Sequence, residues 1–201
     1  MKNYGYNEEE LVEVKLHSEP VFHGIIMDIY RDEILLPDGN KGIRELMRHS
    51  GAVCIVPVTD RGTVILEQQY RYTVGKVLTE IPAGKLNAPE EDRLLAAKRE
   101  LLEETGLSAD SWVSLGEFYP APAYSDEKIT VFLARKLHSG NQELDPDEFL
   151  RVFELPIEEL LEHVMNGMIE DEKTQFAVLK AYYYMKNERK AENEGNRNSC
   201  R

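Results

Sequence analysis

The chain has 201 residues, a formal charge of −13 and 42% hydrophobic residues. That is long enough for one large domain, or a domain with an appendage, and apolar enough for a buried core. So acidic a surface argues against nonspecific nucleic-acid binding, because displacing phosphate counterions needs a basic face. No apolar run approaches the roughly 18 residues of a membrane span. The Glu8-Glu9-Glu10 run near the start lacks the basic and apolar regions of a secretory leader. The expectation is a cytoplasmic protein with neither membrane nor nucleic acid as partner. Cys54 lies in an apolar run and Cys200 in a polar tail, a poor basis for a disulfide, so Cys54 reads as a core thiol.

From the N-terminus, Val12, Val14 and Leu16, then Ile25, Met27 and Ile29, alternate as strand faces do. Pro37-Asp38-Gly39-Asn40 is turn chemistry, which predicts that Ile29–Leu36 folds back on Ile43–His49. Residues 1–48 are therefore expected to form a small antiparallel β subdomain. Gly51–Val58 is nearly all apolar, as in a strand buried on both faces. Asp60-Arg61-Gly62 turns the chain, Thr63–Tyr70 returns beside it, and Val77–Ile81 extends into Pro82-Ala83-Gly84. A helix comes next. Trp112–Tyr119, Ile129–Leu137 and Arg151–Leu155 read as further strands, the first two separated by the proline-rich loop Pro120–Ser125. Ile157–Met165 and Thr174–Met185 carry helical periodicity. Residues 186–201 have almost nothing to bury and are expected to be disordered.

The informative stretch is Gly84–Leu107. Glu100, Glu103 and Glu104 lie three and four residues apart and share a stripe of the predicted helix, while Leu94, Leu95, Leu101 and Leu102 are assigned to another. Carboxylates this close repel unless a divalent cation or arginines neutralise them, and hard oxygen donors suit Mg²⁺ or Mn²⁺. From spacing alone, a solvated acidic face fits equally well. Gly106 is placed to end the helix as a C-cap.

The order of residues is more specific. Arg99-Glu100-Leu101-Leu102-Glu103-Glu104-Thr105-Gly106-Leu107 resembles the core of the box that defines the Nudix hydrolases, in which an upstream Gly and Glu precede Arg-Glu-apolar-any-Glu-Glu-any-Gly-apolar. Gly84 stands one residue further from Arg99 than that pattern allows, so the upstream glutamate is Glu90 counted from Gly84 or Glu91 counted from Arg99. The resemblance implies an α+β fold, an α/β/α sandwich around a mixed sheet, spanning residues 49–185. It also implies that the backbone carbonyl of Ala83, with Glu100 and Glu104, supplies inner metal ligands, that Glu103 shares further ions, and that Arg99 orients the glutamates.

Within that family the chain looks most like the ADP-ribose pyrophosphatases. Pro122, fifteen residues past Leu107, resembles their marker proline. Glu67-Gln68-Gln69-Tyr70-Arg71 resembles a strand end whose arginine meets a substrate phosphate, a task suited to the planar guanidinium fork. Glu80 matches a position that helps hold substrate, and Arg44-Glu45 a pair presented to the nucleotide, often across a homodimer built by the N-terminal strands. The catalytic base is expected from a late loop, with Glu148 in Asp145-Pro146-Asp147-Glu148-Phe149 chosen over Glu127. The implied reaction is metal-dependent hydrolysis of ADP-ribose, or a related nucleoside diphosphate sugar, to AMP and ribose 5-phosphate. The alternatives are a GDP-mannose-type pyrophosphatase and a non-catalytic module that senses nucleotide sugars.

Overall fold

A computed structural model describes residues 7–144, 146 and 148–199, without the side chains of residue 8 and residues 192–199. The chain divides into two compact units. The first comprises the described residues up to Ser50 together with Ala121–Glu127, and the second comprises the rest. The end of the proline-rich loop thus joins the first unit.

In the first unit, β1 (Val14–His23), β2 (Asp28–Leu35) and β3 (Lys41–Arg48) form an antiparallel sheet in that order. The predicted turn closes β2 onto β3, with the Leu36 N–H donating to Asn40 O at 2.8 Å and the Gly39 N–H donating to Leu36 O at 2.9 Å. Ile25 and Met27 do not continue a strand face with Ile29. They sit in the β1–β2 connection, which the Gly24 N–H closes by donating to Met27 O at 3.1 Å. Three alternating positions are too few to outweigh the reversal that the His23–Asp28 pairing requires. Segment 121–127 is strapped to β3, since Met47 N–H donates to Tyr124 O at 2.8 Å and Arg48 Nη1 reaches Asp126 Oδ2 at 3.1 Å. Val14, Leu16, Val21 and Phe22 of β1 are exposed, an apolar surface that nothing in this unit covers.

The second unit contains β4 (Ala52–Pro57), β5 (Thr63–Arg71), β6 (Lys76–Glu80), β7 (Ala83–Lys85), α1 (Arg93–Thr105), β8 (Leu107–Phe118), β9 (Ile129–Ser139), β10 (Leu150–Pro156), α2 (Ile157–Met165) and α3 (Glu172–Ser199). One sheet runs β7-β4-β9-β8 and is mixed, because β4 and β9 are parallel and the other pairs antiparallel. A second, antiparallel sheet runs β10-β5-β6.

β4 is buried throughout, as its composition predicts. Because side chains alternate along a strand, Ala52, Cys54 and Val56 enter one core with residues of β5, α2 and α3. Val53 and Ile55 enter the other with Leu86, Phe132 and Ala96, Ala97 and Leu101 of α1. Helices therefore cover both sides of the mixed sheet, the expected α+β arrangement. No helix is long and apolar enough to cross a membrane among the described residues.

Two expectations need correction. β8 begins at Leu107, ahead of Trp112, paired with Ser139 on β9. The chain from 186 is not disordered as far as Ser199, because α3 continues through it. Lys, Glu, Arg and Ala there are strong helix formers. Arg135 of β9 also grips Glu188 in a fork, Nη1 to Oε2 at 2.7 Å and Nη2 to Oε1 at 3.1 Å. Cys200 lies outside the described residues.

Candidate active site

α1 begins where Asp92 Oδ1 accepts the Leu95 N–H at 2.9 Å and ends at Gly106, whose left-handed φ of 67° lets its N–H donate to Leu102 O at 2.8 Å. Its buried residues are Ala96, Ala97, Glu100, Leu101 and Glu104. The division into a leucine face and an acidic face is thereby corrected. Leu95 and Leu102 are exposed, and Glu100 and Glu104 share the inward stripe with two alanines and Leu101. Small alanines let the helix approach the sheet closely enough for the two carboxylates to reach β7.

There, Glu104 Oε2 accepts the Ala83 N–H at 2.9 Å. Glu100 lies so close against β7 that a Cβ on Gly84 would stand 2.0 Å from its carboxylate carbon. A side chain at position 84 would displace the Glu100 carboxylate.

Arg99 gathers the acids, donating from Nη1 to Glu100 Oε1 at 2.7 Å and Glu103 Oε2 at 3.0 Å, and from Nη2 to the carbonyl of Lys85 at 3.4 Å. Of the two upstream glutamates, Glu91 is the one that faces it, 3.5 Å from Nη2. Beside them is a polar cavity of about 250 Å³ lined by Ala83, Gly84, Lys85, Asn87, Arg99, Glu100, Glu103, Glu143 and Glu148. Burial pushes the Glu100 carboxyl up to about 7 against the pull of Arg99, and the charges of Glu103 and Glu148 push the same way. Glu104 is driven upward by burial first, then by the charges of Glu67 and Glu100.

These residues fit a hard divalent cation in kind. They are carboxylates seated on a glycine cradle with too little positive charge around them. Among the described residues no three acids already converge as a ligand shell, and Arg99 holds Glu100 and Glu103.

A second cluster is built at the ends of β5 and β6. Glu80, 1% exposed, accepts Arg71 in a fork, Nε to Oε1 and Nη2 to Oε2, each at 2.7 Å. Lys173 of α3 also donates to Glu80 Oε2 and lies 3.1 Å from Asp171 Oδ1. Glu67, 1% exposed with its Oε2 unpaired, lies among them and is pushed upward chiefly by burial.

A model of the NUDIX domain matches residues 47–176. The chain belongs to the Nudix family. Among curated relatives of this Nudix chain, the ADP-ribose pyrophosphatase of Bacillus subtilis (strain 168) is 38% identical over 172 residues, 85% of this chain and 92% of that protein. The methanol dehydrogenase activator of Bacillus methanolicus is 36% identical over 168 residues, 83% of this chain and 90% of that one. A solved structure described as an ADP compounds hydrolase superposes with a TM-score of 0.76 at 25% identity, covering 88% of this chain and 95% of its own.

The Nudix box residues Arg99, Glu100, Glu103 and Glu104 thus assemble with Ala83 and Glu148, and Arg71 joins Glu80. Asp145 and Asp147, flanking Glu148, lie outside the described residues. Arg44, Glu45, Pro122 and Glu127 belong to the first unit. Arg44 does not pair with Glu45. It binds Glu13, Nε to Oε2 at 3.0 Å, while Glu45 accepts Arg31 Nη2 at 2.9 Å, as alternation along β3 requires. Glu127 Oε1 lies 3.7 Å from His49 Nδ1.

Glu80, expected to help hold the substrate, is buried with its oxygens taken by Arg71 and Lys173. Sequence reasoning missed Glu143 and Lys173 and gave Glu67 no role beyond opening the strand-end motif. Glu67 left a trace as the lone acid ending the apolar run Val64-Ile65-Leu66. Lys173 fell just before a helix expected to start at Thr174.

Proposed function

We propose that this Nudix chain is a hydrolase of the pyrophosphate bond of ADP-ribose, or of a related nucleoside diphosphate sugar, releasing AMP and ribose 5-phosphate. The observation that carries the reading is the pair of buried carboxylates, Glu100 held by Arg99 and Glu104 by the Ala83 N–H, with Glu100 lining a polar cavity that Glu148 also lines. The relatives named above support the substrate.

Glu100, Glu103 and Glu104, with the backbone of Ala83, would hold the divalent cation, Mg²⁺ with Mn²⁺ as the alternative. When bound, such an ion neutralises charge on the pyrophosphate and acidifies water. Arg99 keeps Glu100 and Glu103 in register. Arg71, whose Nε and Nη2 are taken by Glu80, presents Nη1 to a phosphate oxygen. Glu148 takes the proton of the attacking water, a role supported by its place in the cavity with Glu100 and Glu103.

The exposed apolar strand β1 supports a homodimer, in which Arg44 and Glu45 would meet the nucleotide and Pro122 shape its surroundings. Cys54, buried as a core thiol, fits a cytoplasmic setting. Product analysis with Mg²⁺ across ADP-ribose, ADP-sugars and GDP-sugars tests the reading. AMP and ribose 5-phosphate from ADP-ribose at the highest kcat/KM are expected, and a GDP-sugar as the best substrate would replace ADP-ribose.

A further inference from the structure

We propose that Lys173, in the first turn of α3, is a positioning residue for Arg71, acting through Glu80 to hold the guanidinium fork where it can meet a substrate phosphate. The inference rests on the assignment of Arg71 made above. Lysine is seldom buried unless paired, yet this side chain is only 13% exposed and has two carboxylate partners, Glu80 and Asp171.

Its backbone is fixed as firmly as its ammonium group. Asp171 caps the helix by accepting the Thr174 N–H at 2.9 Å and the Thr174 hydroxyl at 2.6 Å, and that hydroxyl accepts the Ile81 N–H at 2.9 Å. Because Ile81 follows Glu80, one helix terminus anchors both the strand that carries Glu80 and the cation that grips it.

Charge explains why Arg71 alone does not suffice. Burial works to protonate Glu80, which would break the fork, but the hydrogen bonds of Arg71 and the charge of Lys173 outweigh it and hold the carboxyl below its ordinary range. Glu67, Glu80 and Asp171 set three acids against Arg71 and Lys173. With the ammonium group removed, Arg71 is the cation left to the three within this cluster. It is then drawn inward, toward the unpaired Oε2 of Glu67, and away from the 41% of its side-chain surface now exposed.

The test compares wild type with Lys173→Met, Arg71→Ala and the double variant. Steady-state kinetics on ADP-ribose with Mg²⁺ is paired with calorimetric ADP-ribose binding in EDTA. Lys173→Met is expected to raise KM and Kd about tenfold, the scale of one charge-assisted hydrogen bond, with kcat within about twofold. The double variant should be no weaker than Arg71→Ala, because a residue acting through Arg71 has nothing left to position. Lys173→Arg, which keeps the charge, should restore most of the loss. If Lys173→Met unfolds, Lys173→Gln, with an N–H donor and no charge, carries the same prediction. Unchanged KM and Kd in the Lys173 variants, or additive losses in the double, would overturn the proposal while leaving Arg71 in its role. An Arg71→Ala protein with unchanged KM and Kd would instead remove the phosphate assignment, and this inference with it.

Discussion

The two buried charge clusters of the larger unit use the same side chains and differ in balance. At the ends of β5 and β6, Glu80 has a guanidinium on both oxygens and an ammonium group as well, so burial is outweighed and the carboxyl stays ionised. On α1, Glu100 shares Arg99 with Glu103, and Glu104 receives the Ala83 N–H while facing the charges of Glu67 and Glu100. Where the chain supplies its own counter-charge, an acid becomes a fixed support. Where it does not, burial drives the carboxyls upward and leaves a deficit of positive charge that a bound cation would fill.

Breaking the comparison at its unbalanced end has the largest expected effect. Glu104→Gln should lower kcat by at least about a hundredfold, the scale of one lost electrostatic contact to a transition state. The melting temperature should hold or rise, because a buried acid that must take up a proton or repel its neighbours on folding has gone. Wild-type turnover in this variant would remove Glu104 from the site. Glu80→Gln should do the opposite, leaving Arg71 and Lys173 facing a neutral amide. The expected loss is roughly 2–3 kcal/mol of stability by denaturant titration, somewhat less than for a fully buried pair because Arg71 is 41% exposed. An unchanged unfolding midpoint would mean that the second cluster is not balanced as described.

Much of the fold and of the α1 motif is legible in the sequence. The apolar run at β4, the left-handed glycine at 106 and the order of charged residues from Arg99 to Glu104 each carry their physics in a few consecutive residues. The face assignment on α1 was not legible in the same way. Leucine outranks alanine in hydrophobicity, but close approach to β7 selects the small Ala96 and Ala97 and turns Leu95 and Leu102 outward. Lys173 and Glu80 are far apart in sequence, and no local period announces a pair formed by tertiary packing. The helical tail escaped because composition reports what a segment can bury, while the Arg135–Glu188 fork and helix propensity act without burial.

The central claim, that the acids of α1 lack counter-charge within the chain, is tested most directly by melting temperature from pH 5 to 8, in EDTA and in Mg²⁺. Glu100 ionises near its ordinary 4.5 when unfolded and near 7 when folded, so across that interval the folded state binds more protons. The stability that Glu100 contributes in EDTA is therefore full below about pH 4.5 and is lost as pH rises through 7. Glu104 and Glu67, shifted the same way, add to the fall, whereas Glu80, shifted down, contributes evenly across the range. The account predicts that the melting temperature falls with rising pH in EDTA, and that Mg²⁺ raises it more at pH 8 than at pH 5. A flat profile in EDTA with no stabilisation by Mg²⁺ would contradict it.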